Sequence, residues 1–145
     1  MGRMLWIGGL AAALVLVACR KPEALRSGAS LAAERFAEAV IRRDAATAKV
    51  LTHGESATTQ VADFIYRLPD RIREVHASTF SVDVETPGGD GQTVTIRATH
   101  MLRVDPPGVH SRFGPAGAVA RYVLEVTTVD GEWKITAFEC DVKPE

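Results

Sequence analysis

The hydrophobic period of this chain changes once along its length, and that single change restricts the folds open to it. Ala29, Ala32, Ala33, Phe36, Ala37 and Val40 recur at spacings of three and four, as do Val61, Phe64, Ile65 and Leu68 further on. Such spacing places apolar side chains along one face of a helix. From His76 onward the period is two. Phe80, Val82 and Val84 alternate with Ser81, Asp83 and Glu85, and Val94, Ile96, Ala98, His100, Leu102 and Val104 form a second alternating row. Tyr122, Leu124 and Val126 form a third, and a last strand runs from Trp133 to about Val142. Helices first and strands after predict an α+β domain, with N-terminal helices packed on one face of a curved, antiparallel, four-stranded sheet.

Punctuating residues set the expected boundaries. Ser30 can cap the first helix, whose Arg35, Glu38, Arg42 and Arg43 fall largely outside the apolar face. Asp44 can cap a short second helix over Ala45 to Leu51, ended by His53-Gly54. A third spans about Ser56 to Arg67 and is broken by Pro69, with Asp70 to Glu74 adding one more turn. Pro87 to Gly91 and Pro106-Pro107-Gly108 read as turns, Val109 to Gly117 as a looser stretch, and Asp130-Gly131 as a hairpin. In the last strand the apolar parity switches between Trp133, Ile135, Ala137 and Phe138, Cys140, Val142. That requires burial on both faces or a bulge near Ala137.

Ahead of this domain lies a leader. Met1 to Arg3 is basic, Leu5 to Val17 is uncharged and apolar, and small residues precede Cys19. This is the three-part layout of a secretory signal, and its apolar run is short for a membrane span, which needs about 20 residues. The tetrapeptide Leu16-Val17-Ala18-Cys19 resembles the lipobox of bacterial lipoproteins. That resemblance implies lipidation of Cys19, cleavage on its amino side and anchoring in the lipid bilayer of a bacterial cell envelope. Several acyl chains make stable anchoring feasible, at about 0.8 kcal/mol per buried methylene. Arg20 rather than an aspartate follows, which favours the outer membrane facing the periplasm; the other reading of the leader is an uncleaved anchor helix. The expected organisation is a signal peptide over 1–18, a lipidated cysteine with a flexible tether over 19–28, and the domain over 29–145.

Removing residues 1–18 from the 145 leaves 127, enough for one core and short for two domains. The loss of Arg3 takes the formal charge from −1 to −2, which gives no electrostatic reason to expect nucleic acid as a partner. With Cys19 acylated, Cys140 is left single, either a buried small hydrophobe or a free thiol; its strand spacing beside Phe138 and Val142 favours the former.

A long first helix ending in Arg43-Asp44, the alanine-rich short helix after it and the closing hairpin together resemble the NTF2-like (cystatin-like, SnoaL-like) superfamily. In that hairpin, Tyr122-Val123-Leu124-Glu125-Val126 leads through Asp130-Gly131-Glu132 to Trp133-Lys134-Ile135. The resemblance covers roughly residues 29–142 and implies a cone whose open end often forms a pocket between sheet and helices. Some members are isomerases, dehydratases or polyketide cyclases, and others only bind ligands or proteins, so the fold leaves function open.

Among polar residues, His100 shares the parity of Ile96, Ala98 and Leu102 and should point toward the apolar face. It reads as a core histidine or as a general base in a pocket. His76 could face it across a strand pair, and Asp63 on the third helix is the acid that could join it at the pocket mouth. Phe64, Tyr66, His76, His100 and Tyr122 are the expected pocket lining, with His100 and Asp63 the candidates for catalysis. His53 and His110 lie in loops, and the histidines show no metal-ligand spacing. Ser56 and Ser111 lack a nucleophile-elbow setting, and Gly88, Gly89 and Gly91 join two strands rather than a strand and a helix. Arg67, Arg71 and Arg73 interleave with Asp70 and Glu74 as a solvated, salt-bridged face, and Phe113-Gly114-Pro115 is a mobile connection or a contact surface. No cofactor is called for. The sequence thus leads to a non-catalytic envelope lipoprotein binding a small apolar ligand or a protein partner. A proton-transfer enzyme using His100 with Asp63 is the alternative, and a homodimer through the open sheet face a third expectation.

Overall fold

The computed structural model describes residues 27–68, 72, 75–104 and 116–144. The expectations about the leader, Cys19, the tether up to residue 26, Asp70, Arg71, Arg73, Glu74, the 106–108 turn, His110, Ser111 and the 113–115 loop fall outside them, whereas Ser27 and Gly28, expected in the tether, open the first helix. Three helices, α1 (Gly28–Ile41), α2 (Ala45–Leu51) and α3 (Glu55–Arg67), precede four strands, β1 (Val75–Pro87), β2 (Thr93–Val104), β3 (Ala116–Val129) and β4 (Glu132–Pro144). The strands form an antiparallel meander in the order β1-β2-β3-β4 that does not close on itself. The α+β class and the order of elements are those the period change predicts.

Helix α1 begins one turn earlier than expected. Ser27, not Ser30, is its cap, with Ser27 Oγ accepting from the Ser30 amide at 3.0 Å. Ser30 is itself buried, because Ala29, Ala32 and Ala33 continue the apolar arc back to the helix start. At the other end Arg43 sits in the left-handed region at φ 59°. The Arg43 amide donates to the Val40 carbonyl at 3.1 Å and the Asp44 amide to that of Ala39 at 2.8 Å, the two bonds of a Schellman cap. A side chain at such a φ is strained, and glycine is the usual occupant. Arginine is retained here because its guanidinium donates to the carbonyls of Ile72 at 2.6 Å and Leu68 at 3.3 Å, binding the α3–β1 connection to the end of α1. Asp44 then caps α2 as its sequence position suggests, accepting from the Thr47 amide at 3.1 Å and hydroxyl at 2.6 Å.

The strands follow their turn chemistry. Asp130 and Gly131 both have positive φ, 51° and 78°, as a two-residue hairpin with right-handed strand twist requires. In β4 the parity switch is a bulge. Val126 pairs with Ile135 and Glu125 with Ala137, leaving Thr136 as the extra residue. Ile135 and Phe138 thereby both turn to the helix side and are buried. The core lies between α1 and this face: Phe36, Val40 and Ile41 pack with Ile96, Tyr122, Leu124, Val126 and Ile135. The Phe138 ring meets Phe36 edge-on at 5.1 Å and Phe64 at 5.7 Å. Arg97, Met101, Arg103, Arg121 and Glu139 occupy the opposite, exposed face.

Two contacts fix the direction of α1 over the sheet. Ser27 Oγ donates to Glu85 at 2.5 Å, and a Cβ on Gly28 would stand 2.7 Å from Trp133 Cδ1, so the start of α1 lies at the end of the sheet that carries the hairpin turns. Arg42 Nη1 donates to the Val75 carbonyl at 3.4 Å at the other end. Replacing Arg43 with alanine keeps the strain and removes both carbonyl contacts, so the urea midpoint should fall by an amount equivalent to ~1–2 kcal/mol. Arg43→Gly loses the same contacts but relieves the strain and should lose clearly less. Equal losses would mean that the backbone conformation is unstrained.

Candidate functional site

Alternation along β2 sends His100 to the helix side with Ile96, Ala98 and Leu102, and its side chain is fully buried. Phe80, its partner on β1, meets the imidazole edge-on at 5.7 Å, and Tyr122 on β3 lies 6.0 Å away, ring centre to ring centre. Both ring nitrogens are engaged. Nε2 is 3.0 Å from Glu38 Oε1 on α1, and Nδ1 is 3.3 Å from the Tyr122 hydroxyl. Glu38 also accepts from the Ser78 hydroxyl on β1 and, through Oε2, from Arg42 Nε at 3.0 Å. Tyr122 in turn lies opposite Cys140 in the β3–β4 register. A polar chain, Arg42–Glu38–His100–Tyr122, therefore runs from α1 through the apolar core to β3.

Protonation states follow from burial and partners. Burial raises the Glu38 carboxyl pKa, but the hydrogen bonds from Ser78 and Arg42, with His100 beyond them, outweigh it and leave the group below its ordinary 4.5. For His100 burial wins: the imidazole is held below 6.5 despite the Glu38 carboxylate beside it. Burial, then Cys140, pushes the Tyr122 hydroxyl well above 10, and burial takes the Cys140 thiol up to about 12 against the opposing effect of Tyr122. At neutral pH Glu38 is thus ionised, His100 neutral, and Tyr122 and Cys140 keep their protons. A carboxylate can only accept, so Nε2 carries the imidazole proton and Nδ1 accepts from the Tyr122 O–H. A protonated thiol and an imidazole with neither nitrogen open are poorly placed to attack or deprotonate a substrate.

A cavity of about 480 Å³ lies between α3 and the second half of β4. Phe64, Leu68, Phe138 and Val142 form its apolar wall with Cys140, and Gln60, Asp63 and Arg67 its polar rim. It sits at the end of the sheet away from Ser27, since Cys140 and Val142 pair with Tyr122 and Ala120 rather than with the hairpin-turn half of β3.

Of the residues picked out by sequence, Phe64 lines this cavity and Asp63 stands at its rim. Tyr66 is 91% exposed, two residues from Phe64 and on the solvent side of α3. His76 is exposed at the register shift between Val75 and Ala77, and His53 is exposed after α2. His100 and Tyr122 lie in the core behind Cys140 rather than in the wall. The structure does not bring Asp63 to His100, whose carboxylate partner is Glu38. Among the described residues no three His, Cys, Asp or Glu side chains gather as a metal site would need.

Glu38 escapes the sequence reading because its helical position borders the apolar arc and its flexible stem spans the remaining distance to the sheet. Its immediate neighbours Ala37 and Ala39 are both buried, and that is the signal that could have marked it.

Helices packed on one face of an open four-stranded antiparallel sheet are compatible with the NTF2-like fold. No protein-family model matches the chain, and no curated protein matches it in sequence.

The buried chain makes folding stability depend on pH with a definite sign. A folded-state His100 pKa below its unfolded value of about 6.5 contributes stability above that pH, lost as pH falls toward the folded value; Glu38 adds the same sign below 4.5. The urea midpoint should be level from about pH 8 to 7 and fall as the pH drops below about 6.5. In His100→Gln, whose amide keeps one donor and one acceptor, the fall between about pH 6.5 and 5 should be markedly smaller. A wild-type midpoint that is flat down to about pH 5 would contradict a buried neutral imidazole.

Proposed function

We propose that the protein is an exported lipoprotein, acylated at Cys19 and held at the envelope membrane, whose NTF2-like domain binds a small apolar ligand without transforming it. The cavity between α3 and β4 carries this reading. At about 480 Å³ it falls in the range of small-molecule sites, and an apolar wall with a polar rim suits a ligand with an apolar body. Placement accords with it: the cavity lies at the end of the sheet away from Ser27 at the start of α1. The non-catalytic reading draws on His100, with no exposed surface and both nitrogens engaged, and on Cys140, a protonated thiol.

Two experiments test the two halves separately. Cys19→Ala should abolish membrane association on cell fractionation; a variant that stays with the membrane as an unprocessed precursor would favour an anchor helix. For the cavity, a dansyl-labelled medium-chain fatty acid is the probe. It should bind the wild type, and Val142→Trp, which fills the wall, should weaken binding at least tenfold at unchanged far-ultraviolet circular dichroism. Met101→Ala, on the opposite face of the sheet, should leave binding unaltered. Failure of the probe to bind, or equal binding by Val142→Trp, would overturn the assignment.

A further inference from the structure

The rim of the cavity between α3 and β4 carries two opposite charges side by side. Gln60, Asp63 and Arg67 stand at this rim, while Phe64 and Leu68 of the same helix enter the apolar wall with Phe138. Spacings of three and four put the three polar residues on one narrow stripe of α3, along the border of its apolar face. Asp63 and Arg67 are one helical turn apart, a spacing that leaves about 5–6 Å between Cβ atoms and often closes into an ion pair. Both side chains are exposed, and among the described residues no hydrogen bond or ion pair joins them. Both charges are therefore open to whatever enters the cavity.

Such a rim selects a ligand by the charge of its head. A head with a single charge meets one attraction and one repulsion at similar distances, and the two largely cancel. A head with both charges meets two attractions, its anionic end at Arg67 and its cationic end at Asp63. The two rim groups lie close together, so the charges of this head must be close as well, as they are where an ammonium and a carboxylate share one carbon. We infer that the cavity takes an apolar α-amino acid, with its carboxylate on Arg67, its ammonium on Asp63 and its side chain against Phe64 and Phe138. The inference rests on the reading of this cavity as the binding site and names the class of ligand.

Wall and rim both suit such a molecule. Phe64 and Phe138 meet edge-on with ring centres 5.7 Å apart, and an aromatic ring in the cavity extends that cluster. The planar guanidinium of Arg67 presents paired N–H donors to the two oxygens of a carboxylate. Gln60, one turn before Asp63, has an amide oxygen that accepts from an ammonium. Cys140 adds no charge to the wall, because its thiol keeps its proton.

The test titrates the full chain in maltoside micelles with three water-soluble ligands followed by NMR. These are phenylalanine, 3-phenylpropanoate, which lacks the ammonium, and phenethylamine, which lacks the carboxylate. Phenylalanine should bind more tightly than either by about two- to fivefold, the weight of one exposed ion pair. It should lose that lead to 3-phenylpropanoate in Asp63→Asn and to phenethylamine in Arg67→Gln, whereas a purely structural role of these side chains would weaken all three ligands alike. Equal binding of the three by the wild type, or a lead of phenylalanine that survives both substitutions, would overturn the inference and leave the fatty-acid result standing. If none of the three binds, the inference falls; the reading of the cavity falls with it only if the fatty acid fails as well.

Discussion

One contact across the interior, from the Glu38 carboxylate on α1 to the His100 imidazole on β2, determines much of how this domain is put together. A neutral histidine with no exposed surface would otherwise leave two polar nitrogens stranded among Phe80, Ile96 and Leu102, at a cost of about 1–3 kcal/mol for each unmade bond. Glu38 answers one nitrogen and Tyr122 the other, and among the described residues no buried side-chain nitrogen or oxygen is left without a partner. The carboxylate also takes the Ser78 hydroxyl of β1 and Arg42 of its own helix. A single α1 side chain thus ties the helix to two neighbouring strands, and apolar packing of Phe36, Val40 and Ile41 alone would not specify that register so narrowly.

The same chain links two regions that the fold holds apart. Its solvent end lies where α1 closes on the α3–β1 connection through Arg43, and its inner end, Tyr122, pairs across the sheet with Cys140 of the wall of the cavity between α3 and β4. The bulge at Thr136 makes this arrangement possible. Without the extra residue, Phe138, Cys140 and Val142 would keep the parity opposite to Ile135 and turn away from the helices. The helix-side placement of Phe138, Cys140 and Val142 in the cavity wall therefore depends on one local irregularity in β4. Chemistry is restrained by the same packing, since burial keeps the thiol protonated and the imidazole enclosed.

Much of the fold was legible because it rests on local signals. The change of period near His76 set the order of helices and strands. Asp44 and the Asp130-Gly131 pair announced a cap and a turn through side-chain and backbone requirements that act within a few residues. The parity conflict in the last strand located the bulge to within one position. Ser27 was missed because two serines three residues apart are equal candidates for a cap until packing decides which one is buried. The site was harder to read. Parity placed His100 correctly toward the helices, but its partner lies 62 residues away on a surface-looking position of α1, and no periodicity reports such a pairing. Asp63 was the acid singled out because its helix could bring it to the pocket mouth, and it borders the cavity while Glu38 takes the histidine. Nothing local distinguishes a carboxylate that meets solvent from one that reaches inward along a flexible stem.

The most direct measurement is a double-mutant cycle on Glu38→Gln and His100→Phe, read by urea unfolding at neutral pH. If the two side chains form one lock between α1 and the sheet, the second substitution should cost much less once the first is made. A coupling of about 1–3 kcal/mol is then expected. Losses that add to within about 0.5 kcal/mol would contradict the lock and leave Glu38 a surface residue whose neighbourhood to His100 carries no stability.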